Sequence, residues 1–214
     1  MPSPLDGLTA RQHEVVTHRG GPLVVLGAAG TGKTRAIAAR HAWLATDGGL
    51  EPEQLLAITH GAAAVDGLRA LIEDGIDRGF AELHVHTTPG FAARLLREEA
   101  AEAGLDPFVA TVSTADRLAM LLERVDELSL RRHDLRGNPA AMLAGVVARI
   151  DRLKEACVTP GQMTAWAQAL PRDSERSERE REFAAIYAAH DGMLRQENAL
   201  DQGDLVLLAT SLLE

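Results

Sequence analysis

The sequence predicts an α/β protein: a parallel sheet wound with helices, interrupted by a long all-helical insertion. Two observations carry this. Over the first 90 residues, short apolar runs at 23–26, 55–59 and 83–87 alternate with helical patterns, the order that builds a parallel sheet. From residue 91 to about 200, apolar residues recur almost throughout at helical spacing. The boundaries implied are 1–90 for the first part of the core, 91–198 for the insertion and 199–214 for a return to the core.

The elements follow in order. Thr9 is placed to cap a short helix, and Gln12 three residues on completes a T-x-x-Q capping box. Residues 23–26 (Leu, Val, Val, Leu) lie between Gly20-Gly21-Pro22 and Gly27, and are expected to form a buried strand. A helix over 33–44 would place Ile37, His41 and Leu44 on one face. Residues 55–59 predict a second strand, 62–73 an alanine-rich helix and 83–87 a third strand. Further on, Asn138-Pro139 and Thr159-Pro160 each pair an N-cap with proline at the first helical position. The first opens a helix to about Lys154, the second a helix carrying Met163, Trp166 and Leu170. Residues 171–182 read as a solvated connection, with Ser177 and Glu180 as another capping box. Phe183, Ile186, Tyr187, His190 and Leu194 then form an apolar stripe. No internal repeat is visible.

The 214 residues are 46% hydrophobic and 25% charged, which excludes collagen-like and disordered classes. No run approaches the roughly 20 apolar residues of a membrane helix, and no signal peptide is visible, so a cytoplasmic location with no membrane partner is expected. A lone cysteine, Cys157, cannot form an internal disulfide and is expected to be a small core residue. The net charge of −9 and 3% aromatic content mean that nucleic-acid binding must use a local groove. Lysine occurs only at Lys33 and Lys154, so each lysine asks for a reason.

One motif carries chemistry. Gly27-Ala28-Ala29-Gly30-Thr31-Gly32-Lys33-Thr34 fits G-x-x-x-x-G-K-[ST] at every fixed position. Glycines let the backbone curl so that its N–H groups meet a phosphate, and the following helix adds its positive end. Lys33 would reach the β- and γ-phosphates, and the Thr34 hydroxyl would ligate Mg²⁺. A chance match in this length has odds of roughly one in a hundred. The expected ligand is a nucleoside triphosphate with Mg²⁺.

Around that motif lie Leu8-Thr9-x-x-Gln12, the P-loop continued by Arg35, Ala57-Ile58-Thr59 before an alanine-rich helix, and Val85-His86-Thr87-x-x-Gly90-Phe91-Ala92. With Leu200-Asp201-Gln202-Gly203-Asp204-Leu205, this order resembles the UvrD/PcrA/Rep-like superfamily 1 DNA helicases. The resemblance implies a partial RecA-like P-loop sheet (subdomain 1A) and an inserted helical subdomain 1B. It implies an ATP-dependent helicase or translocase of 3′-to-5′ polarity, acting in repair or recombination. Its partners would be single-stranded DNA and a second RecA-like domain. By the same resemblance Gln12 reads the adenine edge, where the alternative is a capping partner only. Arg35 lies near the nucleotide, where the alternative is an exposed helix arginine. Thr59, Ala64 and Arg69, then Thr87 and Gly90, fall on DNA-contacting segments. The chain departs from the family pattern where a stacking phenylalanine becomes His60, and where Ala62, Ala63, Thr88 and Pro89 replace polar, basic or aromatic residues.

No carboxylate stands where Mg²⁺ and the attacking water need one. Asp126-Glu127 falls inside an amphipathic pattern and is expected on a helix surface, while Asp201 and Asp204 precede an apolar run. The sequence therefore reads as the N-terminal piece of a longer helicase, inactive in hydrolysis by itself. Another P-loop NTPase and a non-hydrolysing nucleotide-binding regulator stand as alternatives. His84 and His86 share a strand face at metal-ligand spacing, with no third ligand nearby.

Overall fold

The computed structural model describes residues 3–106, 108–128, 130–131, 138–172 and 174–214. It divides into two compact units, Met1–Phe91 and Ala92–Glu214. The fold is mixed α/β, rich in helix, with short parallel sheets.

In the first unit, α1 (Ala10–Thr17) and α2 (Lys33–Thr46) precede β1 (Leu56–Thr59), α3 (Ala62–Glu73) and β2 (His84–Thr87). The two strands pair in parallel from Leu56↔His84 to Thr59↔Thr87, so their C-terminal ends lie side by side. The core joins Ala38, Ala42 and Ala45 of α2 to Leu68 and Ile72 of α3 and to Ala57 and Val85 of the strands. Small residues let α2 approach closely: a Cβ on Gly75 would stand 2.7 Å from that of Ala42.

One expectation fails in this unit and another holds only in part. Residues 23–26 form no strand and pair with neither β1 nor β2, and Val24 and Leu26 are 81% and 91% exposed. An apolar run signals a preference for burial, but a strand also needs a neighbouring backbone to satisfy its N–H and C=O groups. The expected buried face of α2 holds only in part. His41 is buried and Leu44 packs against the core, but Ile37 is half-exposed and alanines make most of the contact.

The second unit holds most of α4 (Thr88–Glu98), then β3 (Ala110–Thr111), α5 (Thr114–Glu123), α6 (Pro139–Glu155) and α7 (Pro160–Ala169). These are followed by α8 (Glu175–Gln196), β4 (Ala199–Leu200) and α9 (Gln202–Leu213). Asn138 and Thr159 cap α6 and α7 as their sequences require. The stripe Phe183, Ile186, Tyr187, His190 and Leu194 is buried, and its first three residues pack with Leu143, Val147 and Ile150. Residues 199–200 pair with β3, and α9 packs on α6.

Three further expectations are corrected here. Helix α8 starts at Glu175, capped by Ser174, whose Oγ accepts from the Ser177 N–H at 3.1 Å. Ser177 is thus inside the helix, and Glu180 pairs with Arg149. The run read as a solvated connection becomes helix because alternating arginine and glutamate support i,i+4 pairs such as Glu175–Arg179. Helix α5 stops at Glu123, so Asp126 and Glu127 are exposed in a following 3₁₀ turn rather than on a helix. Cys157 is exposed just past α6 at φ 55°, because the chain turns there and leaves the apolar face.

A buried charge cluster ties four of these helices together. The Lys154 ammonium of α6 donates to Asp201 Oδ2 at 2.7 Å and Asp204 Oδ1 at 2.6 Å. Arg117 of α5 donates to Asp151 at 2.6 Å and to His190 Nε2 at 3.0 Å, and its other nitrogen lies 3.1 Å from Asp201. Asp201 caps α9 in a reciprocal box with Asp204. Gly203 leaves the room: a Cβ there would stand 2.6 Å from Cβ of Lys154. Burial opposes the Asp201 charge, but the Lys154 and Arg117 cations outweigh it and hold its carboxyl below the usual range. Burial pushes the Asp204 carboxyl up. Burial, with Arg117 and Lys154 adding, pushes the His190 imidazole down to about 3.

Candidate nucleotide site

The loop at 27–34 is shaped by two left-handed glycines, Gly30 at φ 76° and Gly32 at φ 81°. That region costs a side-chain-bearing residue free energy, so glycine is required for the loop to curl. Gly32 also N-caps α2 without a side-chain bond, which leaves the first backbone N–H groups of the helix without a side-chain cap. The positive end of α2 therefore opens onto the loop, an arrangement suited to phosphate.

Lys33 Nζ folds back and donates to the carbonyls of Gly27 and Ala28, both at 2.7 Å. Thr31 Oγ1 donates to Ala28 O at 2.8 Å, so the loop is held by its own side chains. Thr34 is exposed in the first turn of α2. An exposed ammonium resting on two carbonyls can exchange them for phosphate oxygens, which carry full charge and bind it more strongly.

Gln12 serves two purposes. Its Oε1 accepts from the Thr9 N–H at 2.9 Å while Thr9 Oγ1 accepts from the Gln12 N–H at 3.3 Å, which makes the capping box. Its Nε2 donates to Thr31 O at 3.2 Å, which brings α1 onto the loop. A Cβ on Gly32 would stand 2.6 Å from that Nε2, so glycine is needed for the approach as well. Arg35 is exposed, and its Nη2 donates to Asp6 O at 3.1 Å.

The other candidate residues gather at the C-terminal ends of the strands. Thr59 and Thr87 are cross-strand partners. His60 follows β1, and Gly61 at φ 101° leads into α3, with Ala64 exposed in its first turn. Thr87 Oγ1 accepts from the Gly90 N–H at 3.1 Å. Arg69 has other partners: its guanidinium donates at 3.0 Å to the carbonyl of Leu83, just before β2, and at 3.1 Å to that of Val85 on it. His84 and His86 stack with ring centres 6.2 Å apart.

The family model described as the UvrD/REP helicase N-terminal domain matches residues 8–214. The chain belongs to that family. This UvrD/REP N-terminal chain is 31% identical over 212 residues to the ATP-dependent DNA helicase UvrD1 of Mycobacterium tuberculosis, covering 96% of itself and 26% of the relative. It is 28% identical to the ATP-dependent DNA helicase Rep of Escherichia coli, with 97% and 29% covered. It is 24% identical to the ATP-dependent DNA helicase PcrA of Bacillus subtilis, with 98% and 26% covered. It thus spans a little over a quarter of these relatives' length. Among the described residues, no helix is long and apolar enough to cross a membrane.

Proposed function

We propose that this chain is the nucleotide-binding N-terminal part of an ATP-dependent DNA helicase or translocase of 3′-to-5′ polarity, serving DNA repair or recombination. The observation that carries the reading is the curled, self-held P-loop at the N-terminus of α2. The family match supports it. The first unit would be subdomain 1A and the helices after it the inserted 1B. ATP would be held by 27–34, with Lys33 on its β- and γ-phosphates and the Thr34 hydroxyl on Mg²⁺. Gln12 would read adenine from its seat beside Thr31, and Arg35 would lie near the nucleotide. When bound, Mg²⁺ supplies charge neutralisation along the phosphates.

Single-stranded DNA would cross the strand ends at Thr59, His60, Ala64, Thr87 and Gly90, and continue onto the remainder of the helicase. Arg69 shapes that edge by holding β2. Hydrolysis by the chain alone is expected at background level. Asp201 and Asp204 are occupied by Lys154, and Asp126 and Glu127 sit in an exposed turn. Ala62, Ala63, Thr88 and Pro89 at positions usually polar, basic or aromatic in the family favour a second reading, a nucleotide-binding regulator that does not hydrolyse.

Fluorescence anisotropy with a labelled oligonucleotide tests the DNA assignment. Weak binding should fall with salt, with a slope of about −0.7 per phosphate contact. His60→Ala should cost about 1–3 kcal/mol if the imidazole stacks on a base. Tight binding that ignores salt contradicts the assignment.

A further inference from the structure

Arg40 sits two turns along α2 from the P-loop, with its guanidinium on the end of α1. Its Nη1 lies 3.0 Å from Val15 O, 3.0 Å from Val16 O and 2.8 Å from His18 O. Those three carbonyls are the C-terminal end of α1, where the last turn has no intrahelical donors. The helix needs this help. It has only eight residues, no basic residue in its last turn, and Val16 as its one buried residue. A helix so short is marginal in water, and its apolar anchoring is slight.

The other end of α1 is the end that matters to the site. Thr9 and Gln12 form the cap there, and Gln12 Nε2 reaches Thr31 O. Helix α1 is thus a rod of about 12 Å, seated on the P-loop at its N-terminus and clamped by a cation of the P-loop helix at its C-terminus. Arg35 and Arg40, five residues apart on α2, hold the chain just before the rod, at Asp6 O, and the rod's C-terminal end, at the carbonyls of Val15, Val16 and His18. Arg40 also matches the negative end of the α1 dipole.

We infer that Arg40 is a positioning residue for base selection: it fixes α1 against α2 and so sets where the Gln12 amide stands relative to the phosphate loop. This rests on the reading of Gln12 as the adenine contact. The loop keeps its own bond from Thr31 Oγ1 to Ala28 O and its place at the start of α2 without the clamp, so loss of the clamp should separate base recognition from phosphate recognition. A general loss of stability would weaken both together.

The test uses the whole chain with Mg²⁺ and three probes: mant-ADP, mant-GDP and inorganic pyrophosphate as competitor. Wild type should prefer the adenine nucleotide. Arg40→Met should reduce that preference by about tenfold, the equivalent of losing about 1.4 kcal/mol, while pyrophosphate affinity changes less than about twofold. Arg40→Lys should restore the preference, because an ammonium carries three N–H donors for three carbonyls. Arg40→Gln, a gentler change that keeps one donor group, should fall between and serves if the methionine variant does not fold. Gln12→Ala should lose the preference alone. If Gln12→Ala loses it and Arg40→Met keeps it, the inference is overturned and the Gln12 reading stands. If Gln12→Ala keeps it, the Gln12 reading falls and takes the inference with it. If Arg40→Met loses pyrophosphate binding as well, the arginine holds the loop itself and the assignment to base selection is wrong.

Discussion

Lys33 and Lys154 are the only lysines of the chain, and their surroundings are opposite. Lys33 is exposed, rests on two neutral carbonyls of its own loop, and lies at the open end of a helix. Lys154 is 0% exposed and is held by two carboxylates on a different helix. A cation with weak, exchangeable partners can move to a ligand. A cation desolvated among anions cannot leave them without stranding a buried charge. Rarity of a residue type therefore does not say what the residue does; the partners distinguish an exchangeable cation from a structural one.

Stability measurements on the two lysines should separate them widely. Lys154→Ala leaves Asp201 and Asp204 buried without their shared cation and should cost about 3–5 kcal/mol in urea unfolding. Pairing it with Asp204→Ala should cost less than the sum of the single changes, because the second change removes one stranded charge. Additive losses would show that the lysine acts through packing alone. An effect smaller per pH unit is expected from His190, whose Nε2 accepts from Arg117 so that the ring is neutral. Its pKa of about 3 when folded lies below the roughly 6.5 of an unfolded histidine. Its contribution is full above pH 6.5 and falls as pH drops toward 3, by up to about 1.4 kcal/mol per pH unit. His190→Gln should flatten that part of the pH–stability curve relative to wild type. An unchanged slope would remove His190 from the cluster. Least affected should be Lys33→Ala, within about 0.5 kcal/mol of wild type as for exposed sites.

The legibility of these two regions in the sequence differs for a physical reason. The P-loop pattern and the caps at Thr9, Asn138 and Thr159 are local: glycine, lysine, hydroxyl and amide act within a few residues, and at the three caps the bonds appear as the spacing requires. The extent of α3 is local in the same way. The charge cluster is not, since it draws Arg117, Lys154, His190 and Asp201 from four separate segments. Lys154 was conspicuous by type, yet nothing near it in sequence names its partners. Arg40 is harder still, because backbone carbonyls have no residue signature. Residues 23–26 show the opposite error, an apolar pattern read as a strand where no neighbouring strand pairs with it among the described residues.

The central claim is that Lys33 is the exchangeable cation of a nucleotide site. Titration calorimetry of adenine nucleotide with Mg²⁺ into wild type and Lys33→Ala addresses it directly, with urea unfolding as the check on folding. Binding should be weak but measurable in wild type and absent in the variant, at equal stability, since the phosphates lose their close cation. Equal affinity in the two proteins would contradict it.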